Sequence, residues 1–198
     1  MSERMRVPVV AGFAQRVTGA DGPKSSPKEE GKELRSRVPR ASHDSLVLAQ
    51  GRPGAVQAVV ESNRGRVPGL TPIRVGRMAA TPFAFLRGAA GLMAHDLVGT
   101  PVTGASAQIC GDAHAANFGL YGDARGRLVI DLNDFDETVV GPWEWDVKRL
   151  AASFAVATRE SGFKRKQREA VLLRAVSSYR EAMRSKPPAA VPPRAACA

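Results

Sequence analysis

Acidic residues are concentrated in one stretch of an otherwise basic chain. From Gly111 to Asp146 the sequence GDAHAANFGLYGDARGRLVIDLNDFDETVVGPWEWD holds eight carboxylates and two basic residues, whereas the whole chain has a formal charge of +10. Carboxylates within a few ångströms of each other repel unless one is protonated or a cation bridges them. Asp and Asn supply the hard oxygen donors that suit Mg²⁺. The stretch therefore predicts a magnesium site.

Three members of this stretch have the spacing of a phosphoryl-transfer site. Asn117 follows Asp112 by five positions, and Asp131 follows Asn117 by fourteen, across a predicted hairpin. In the kinase-type layout, the first Asp orients the acceptor hydroxyl, while the Asn and the later Asp hold Mg²⁺ on the nucleotide phosphates. Asp134 and Asp136 compete with Asp131 for the metal. A purely structural interpretation stays open for each, as turn, strand-end or solvated loop residues.

Short strands and helices must position these residues. AQIC predicts a strand that ends at the Gly-Asp pair, and FGLYG with RLVID predicts a hairpin that brings Asp131 back near Asn117 and Asp112. A loop is expected at Thr138–Glu144, with Asp146 as the N-cap of the next helix. Residues 65–78 are expected to form a loop or a short extended piece. Three further helices are predicted, at 53–64, at 81–98 with Thr81 as N-cap, and at 164–184.

Several segments resemble known families. GDAHAANFGLY resembles the G-D-x-H-x-x-N loop of the aminoglycoside-phosphotransferase-like branch of the protein-kinase-like superfamily, and LVIDLNDFD resembles its metal-binding segment. More closely, CGDAHAANFG, DLNDFDETVVGPWEWDVKRLAAS and TPIRVGRMAATPFAFLRGAAGLMAHDL resemble the bacterial family called domain of unknown function 2252. The resemblance spans residues 38–183. It implies a mostly helical α+β fold, a kinase-like C-terminal-lobe core whose small β-hairpin carries the acidic site.

The resemblance also implies roles for individual residues. It implies phosphoryl transfer from Mg²⁺-ATP to an unidentified hydroxyl acceptor, with Asp112 as the catalytic residue that orients the acceptor. Asn117, Asp131 and Asp134 are the metal candidates; His114 and Asp146 are implied as structural support for the loop.

Two arginines are candidates for the nucleotide contact that a kinase Lys normally makes. No Gly-rich strand pair with a Lys precedes the acidic stretch. Arg77 and Arg87 are therefore candidate phosphate contacts, with paired surface charge or a brace to the acids as the structural alternative. Because the Lys-bearing segment is missing and the end of the chain is rich in Pro and Ala, we expect a truncated domain. The alternative function is a non-catalytic or metal-binding fragment.

One further enzyme class shares part of the motif. DFDET at Asp134–Thr138 matches the D-x-D-x-T pattern of haloacid-dehalogenase-type phosphatases, in which the first Asp is the nucleophile. That pattern normally follows a parallel strand directly and is followed by alternating strands and helices. Neither feature is predicted here, so a phosphatase is the lesser alternative.

Composition divides the chain into three parts. Residues 1–40 and 187–198 are expected to be disordered, and 41–186 to form the partial kinase-like domain. The basic surplus lies in the end regions: residues 159–198 hold ten basic and three acidic residues, whereas 46–158 hold ten of each. This distribution does not favour specific nucleic-acid binding. No apolar run reaches the ~18 residues of a membrane span, and two cysteines suggest no disulfide framework, so a cytoplasmic location is expected. A truncated lobe would expose apolar surface and self-associate.

Overall fold

Helices dominate the part of the chain that the computed structural model describes, residues 26–123 and 125–185. The helices are α1 (Pro27–Arg37), α2 (Ala55–Ser62), α3 (Thr71–Ala79), α4 (Pro82–Gly88), α5 (Ala90–Val98), α6 (Trp143–Glu160) and α7 (Arg165–Ser185). The strands are β1 (Ser106–Ile109), β2 (Phe118–Gly122), β3 (Leu128–Leu132) and β4 (Val139–Pro142). Short 3₁₀ turns occupy Arg40–Asp44, Pro68–Leu70 and Ala115–Asn117. The expectation of a mostly helical α+β fold is confirmed.

The four strands form two small antiparallel sheets. β2 and β3 form the predicted hairpin, with Phe118 opposite Leu132 and Gly122 opposite Leu128. β1 pairs with β4, a segment that was expected to be a loop. That expectation is wrong because the strand is stabilised by a partner about thirty residues away, which local turn residues do not reveal. Thr138, next to β4, donates its hydroxyl to the Ile109 carbonyl at 3.1 Å.

The N-terminal part of the described chain differs from the expected disorder. Helix α1 begins at a capping box, in which the Ser26 hydroxyl accepts from Glu29 N at 3.3 Å and the Glu29 carboxylate accepts from Ser26 N at 2.8 Å. Two acidic residues in the first turn and two basic residues in the last turn suit the helix dipole. The expected disorder of residues 1–25 and 187–198 lies outside the described residues.

Helix α3 replaces an expected loop, and Met78 on it packs closely against Gly88 at the end of the next helix. Pro72 lies at the start of α3, where proline is tolerated, and Met78 is buried on its inner side. A Cβ at Gly88 would lie 2.6 Å from the Met78 side chain. The chain turns out of helical geometry at Ala89, with φ −117° and ψ 36°. The single helix predicted over 81–98 is therefore two helices, α4 and α5, although Thr81 is its N-cap as predicted.

Helices α4, α5 and α6 surround the start of the acidic stretch. The buried apolar side chains come from α3, α5, the end of β1 and the loop after it, and are Met78, Leu92, Leu97, Ile109, Cys110 and Ala113. Two polar residues of α6, Arg149 and Ser153, are buried even more completely. No helix within residues 26–123 or 125–185 combines the length and the hydrophobicity that a membrane crossing requires.

Candidate functional site

The loop between β1 and β2 is held by a carboxylate on α6. Asp146 accepts hydrogen bonds from the backbone N–H groups of Cys110 at 2.7 Å and Gly111 at 3.0 Å. The expectation that Asp146 is the N-cap of this helix is wrong, because α6 begins at Trp143 and Asp146 lies in its first turn. These contacts instead position the backbone at the Gly111–Asp112 pair.

Gly111 is required at its position for two reasons. Its φ is +79°, in the left-handed region that favours glycine. In addition, a Cβ built on Gly111 would collide with the backbone carbonyl of Glu137. The loop before Asp112 and the acidic loop after β3 therefore pass each other too closely for any side chain to stand between them.

Asp112 is paired with an arginine inside the core. Nε of Arg149 donates to Asp112 Oδ1 at 2.6 Å, and Nη2 contacts the same oxygen. Arg149 is 2% exposed, and its remaining donors reach the Leu86 carbonyl at 2.8 Å and the Met93 sulfur at 3.2 Å. The second carboxylate oxygen of Asp112 lies 3.7 Å from His114 Nε2. Asp112 therefore has one oxygen fixed by the core and one that faces the loop.

Burial perturbs both titratable groups of this loop. Burial raises the pKa of the Asp112 carboxyl, while Arg149 and His114 act in the opposite direction and the charge of Asp134 adds to the rise. Burial lowers the pKa of His114, which the positive charges of Arg149 and Arg87 reinforce and the Asp112 carboxylate opposes. The Nδ1 atom of His114 has no hydrogen-bond partner among the described residues.

Asn117 connects the loop to the acidic segment after β3. Its Nδ2 donates to the backbone carbonyls of Asp112 at 3.2 Å and Asp134 at 3.4 Å, and it contacts the Cys110 sulfur at 3.8 Å. Asn117 is 4% exposed. All of these bonds use Nδ2, so no partner among the described residues occupies Oδ1. The Oδ1 atom of this amide can therefore serve as a metal ligand, and the amide lies beside two acidic segments.

The aspartates on β3 and in the acidic loop after it lie in different surroundings. Asp131, on β3, is exposed opposite Gly119, and its Oδ1 accepts from Leu132 N at 2.8 Å. Asp134 is close enough to affect the pKa of Asp112, and its carboxylate accepts from Asp136 N at 3.1 Å. The structure thus brings Asp134 to Asp112 and Asn117, whereas no described contact joins Asp131 to either.

Sequence comparison identifies the family. The sequence profile of the family described as "Uncharacterized protein conserved in bacteria (DUF2252)" matches residues 66–190, which is more than half of the chain. The chain belongs to this family. Searches of curated proteins and of solved structures gave no match. The matched range, residues 66–190, includes every residue of the site described above, from α3 to α6.

The two arginine candidates lie at different distances from the site of this DUF2252 chain. Arg87, exposed on α4, is close enough for its charge to lower the pKa of His114. Arg77, exposed on α3, is not among the residues whose charge acts on Asp112 or His114. Only Arg87 is therefore placed near the loop.

Two polar residues of α6, Arg149 and Ser153, complete the site. The sequence analysis did not predict this position for either of them. The Ser153 hydroxyl, which is fully buried, accepts from Ala115 N at 2.9 Å and donates to the Leu150 carbonyl at 2.7 Å. Their spacing from Asp146, three and seven positions, is that of one helix face. This spacing was the sequence signal from which their shared helix face could have been predicted.

Proposed function

We propose that the segment from Gly111 to Asp146 forms a Mg²⁺-dependent nucleotide-phosphate site of the kinase type. In a complete domain it would transfer the γ-phosphoryl group of ATP to a hydroxyl acceptor. The observation that carries the proposal is the Asn117 amide. By donating Nδ2 to the backbone carbonyls of Asp112 and Asp134, it holds the proposed acceptor-orienting residue close to a proposed metal ligand.

The donor set fits magnesium better than a transition metal. Asn117 and Asp134 supply only oxygen, and no group of three or more His, Cys, Asp or Glu residues in the described parts of the chain could hold a metal ion. Mg²⁺ commonly takes one or two protein oxygens and completes its octahedron with water and substrate phosphate. When bound, the ion would neutralise charge on the phosphates. Asp131, the other metal candidate from the sequence, lies on the exposed strand opposite Gly119, and we do not include it in the proposed metal site.

Asp112 is supported as the residue that orients the acceptor. Arg149 fixes Oδ1 of Asp112 from the buried side, and Asp146 holds the backbone that precedes it. A carboxylate fixed in this way can accept a hydrogen bond from an acceptor hydroxyl through its other oxygen. The contribution expected from these residues is positioning and charge stabilisation.

A second candidate function is metal binding without phosphoryl transfer. The buried ion pair with Arg149 favours it, because the pair already gives the Asp112 carboxylate a structural role that needs no acceptor hydroxyl. The phosphatase alternative has no such support, since β3, which precedes Asp134, pairs antiparallel with β2.

Calorimetric titration separates these functions. The full chain is titrated with Mg²⁺, with ATP, and with both, beside Asp134→Asn and the matched variant Asp131→Asn. We expect tight binding only of Mg²⁺ and ATP together, weakened by Asp134→Asn at least ~10-fold, because loss of even an outer-sphere partner costs about 10–100-fold. Asp131→Asn should bind normally. Mg²⁺ binding that is indifferent to ATP would favour the second candidate, and no binding of either would reject both.

A further inference from the structure

An open pocket lies between the turn that follows α2 and the start of α3. We call it the α2–α3 pocket; its volume is about 320 Å³, and it is lined by Gly65, Arg66, Val67, Leu70, Thr71 and Arg74. Two of these residues are basic and none is acidic. Val67 and Leu70 are 62% and 60% exposed, so apolar side chains accompany the two basic ones. The volume lies at the lower end of the range of ~300–1,000 Å³ that is typical of small-molecule sites.

Both arginines of the pocket are held at Ser62, the last residue of α2. Gly65 has φ +76°, in the left-handed region that favours glycine, and it turns the chain back after the helix. Nε of Arg66 donates to the Ser62 carbonyl at 2.9 Å, and Nη1 of Arg74 donates to the Ser62 hydroxyl at 3.2 Å. Two guanidinium groups are therefore fixed beside the same residue.

Both guanidinium groups keep N–H donors for a ligand. Nη1 of Arg74 also donates to Asn63 Oδ1 at 2.7 Å, and Nη2 donates to the Gly88 carbonyl at 2.9 Å. Each arginine has five N–H donors. With partners in the described parts of the chain, Arg74 makes three hydrogen bonds and Arg66 makes one, all to uncharged acceptors. More than half of the donors are therefore not used in these bonds.

No adjacent carboxylate compensates the positive charge of this pair. Neither arginine forms a salt bridge with a residue in the described ranges, and Glu61, the closest acidic residue in the sequence, pairs instead with Arg64 at 3.0 Å. Burial lowers the pKa of Arg74, the charge of Arg66 lowers it further, and the charge of Glu137 opposes both. The two guanidinium groups thus repel each other, and a bound anion would relieve this repulsion.

We propose that the α2–α3 pocket binds a small phosphate monoester, with its phosphate group at Arg66 and Arg74 and its apolar part against Val67 and Leu70. A phosphate monoester carries a charge of about −1.5 to −2 at pH 7, which matches two guanidinium ions. The planar guanidinium group also binds phosphate oxygens in a bidentate way. Burying the apolar part of the ligand adds affinity that free phosphate lacks. The inference is independent of the proposed function, since no residue of the pocket belongs to the proposed magnesium site.

Nuclear magnetic resonance titration of the full chain with phenyl phosphate tests the site. EDTA is present, so the proposed magnesium site does not contribute to the result. We expect the amide signals of Gly65 and Thr71 to shift with a dissociation constant on the order of 1 mM or lower. The signal of Gly126, in the hairpin turn, should stay in place. Absence of the two shifts at about ten times that concentration would overturn the proposal.

Arginine variants test whether the pocket itself binds the phosphate. Arg66→Gln removes one guanidinium group, and Arg64→Gln makes the same charge change at an exposed side chain outside the pocket. We expect Arg66→Gln to raise the dissociation constant at least about 10-fold, because hydrogen bonds between charged groups are lost. Arg64→Gln should bind like the wild type, and circular dichroism should show unchanged helix content in both variants. Equal losses of affinity would overturn the proposal, since they indicate attraction to general positive charge.

The class of ligand is tested by separating the phosphate from the apolar part. Inorganic phosphate, titrated in the same way, should bind more weakly than phenyl phosphate. Leu70→Ala should weaken the binding of phenyl phosphate and leave that of inorganic phosphate unchanged. Ile73→Ala, at a side chain that is 53% exposed and outside the pocket lining, should change neither. Inorganic phosphate that binds as tightly as phenyl phosphate, or an equal effect of Leu70→Ala on both, would overturn the assignment to a monoester.

Discussion

The loop Cys110–Asn117 and the hairpin that follows it use similar groups in opposite ways. In the loop, Asp112 pairs with Arg149, whose side chain is 2% exposed, and the backbone is held by Asp146 and Ser153 of α6. In the hairpin turn, Asp123 pairs with Arg127, whose side chain is 69% exposed. Asp123 holds only its own turn, through the N–H groups of Arg125 at 2.9 Å and Arg127 at 2.8 Å.

This difference distinguishes the residues that fix the site from the residues of the site that are accessible to solvent. The loop is held by contacts from α6, and Arg149 of α6 is itself held by α4 and α5, so the position of Asp112 depends on the core. The acidic residues after β3 are exposed, and Asn117 is the residue that ties their backbone to the loop. A site with one buried wall and one exposed wall suits a ligand that brings its own cation and charge.

Removing the arginine from each ion pair should give the largest contrast. Arg149→Met leaves the Asp112 carboxylate buried without its partner, so we expect the free energy of unfolding to fall by about 3–5 kcal/mol. Arg127→Met removes the partner of an exposed pair and should cost no more than ~1 kcal/mol. Urea unfolding followed by circular dichroism measures both. The double variant Arg149→Met/Asp112→Asn should recover part of the loss, and equal losses in the two single variants would contradict the comparison.

The two regions also contain glycines that differ only in their neighbours. Gly111 has φ +79° and lies against the Glu137 carbonyl, whereas Gly126, in the hairpin turn, has φ +75° and no atom within 4 Å of a Cβ. Left-handed backbone costs an Ala about 1–2 kcal/mol at either position. Crowding should add about 1–3 kcal/mol at Gly111 alone. Thermal unfolding of Gly111→Ala and Gly126→Ala measures this difference, and equal losses would mean that the acidic loop moves aside freely.

The sequence predicted the local features of these regions better than the contacts between them. Alternation and a Gly-containing turn specify β2 and β3, and helical periodicity specifies α7, because both signals lie within one segment. Strand β4 depends on β1, and Gly88, next to the break between α4 and α5, lies against Met78 of α3. Such features arise from non-local packing, which propensity does not report.

The site shows the same division. Asp112 and Asn117 lie in one loop, so their proximity follows from the sequence. The partner of Asp112 is 37 positions away on α6, and only the packing of α6 against the loop selects Arg149 over Lys148. The hairpin register places Asp131 opposite Gly119. The turn after β3 then brings Asp134 to Asn117, and no spacing rule fixed that turn.

His114 provides the smallest test, through pH. Burial lowers the pKa of this imidazole below its usual 6.5, with reinforcement from Arg149 and Arg87. The unfolded chain therefore binds a proton at higher pH than the folded chain does. The stabilisation is fully present above about pH 6.5, and it is lost as the pH falls from there through the lower pKa of the folded state. Asp112, whose carboxylate opposes the shift, limits its size.

The matched variant is His114→Gln, which cannot take up a proton at this position. We expect the free energy of unfolding of the wild type to fall more between pH 7 and pH 5 than that of His114→Gln, by an amount smaller than either contrast above. Nuclear magnetic resonance of the imidazole should show a midpoint below 6.5. A midpoint at or above 6.5 would mean that Asp112 attracts the proton more strongly than burial and the two arginines repel it. The Asp112 carboxylate would then interact with His114 as strongly as with Arg149. Its position in the buried wall of the site would be fixed less firmly than its hydrogen bonds to Arg149 indicate.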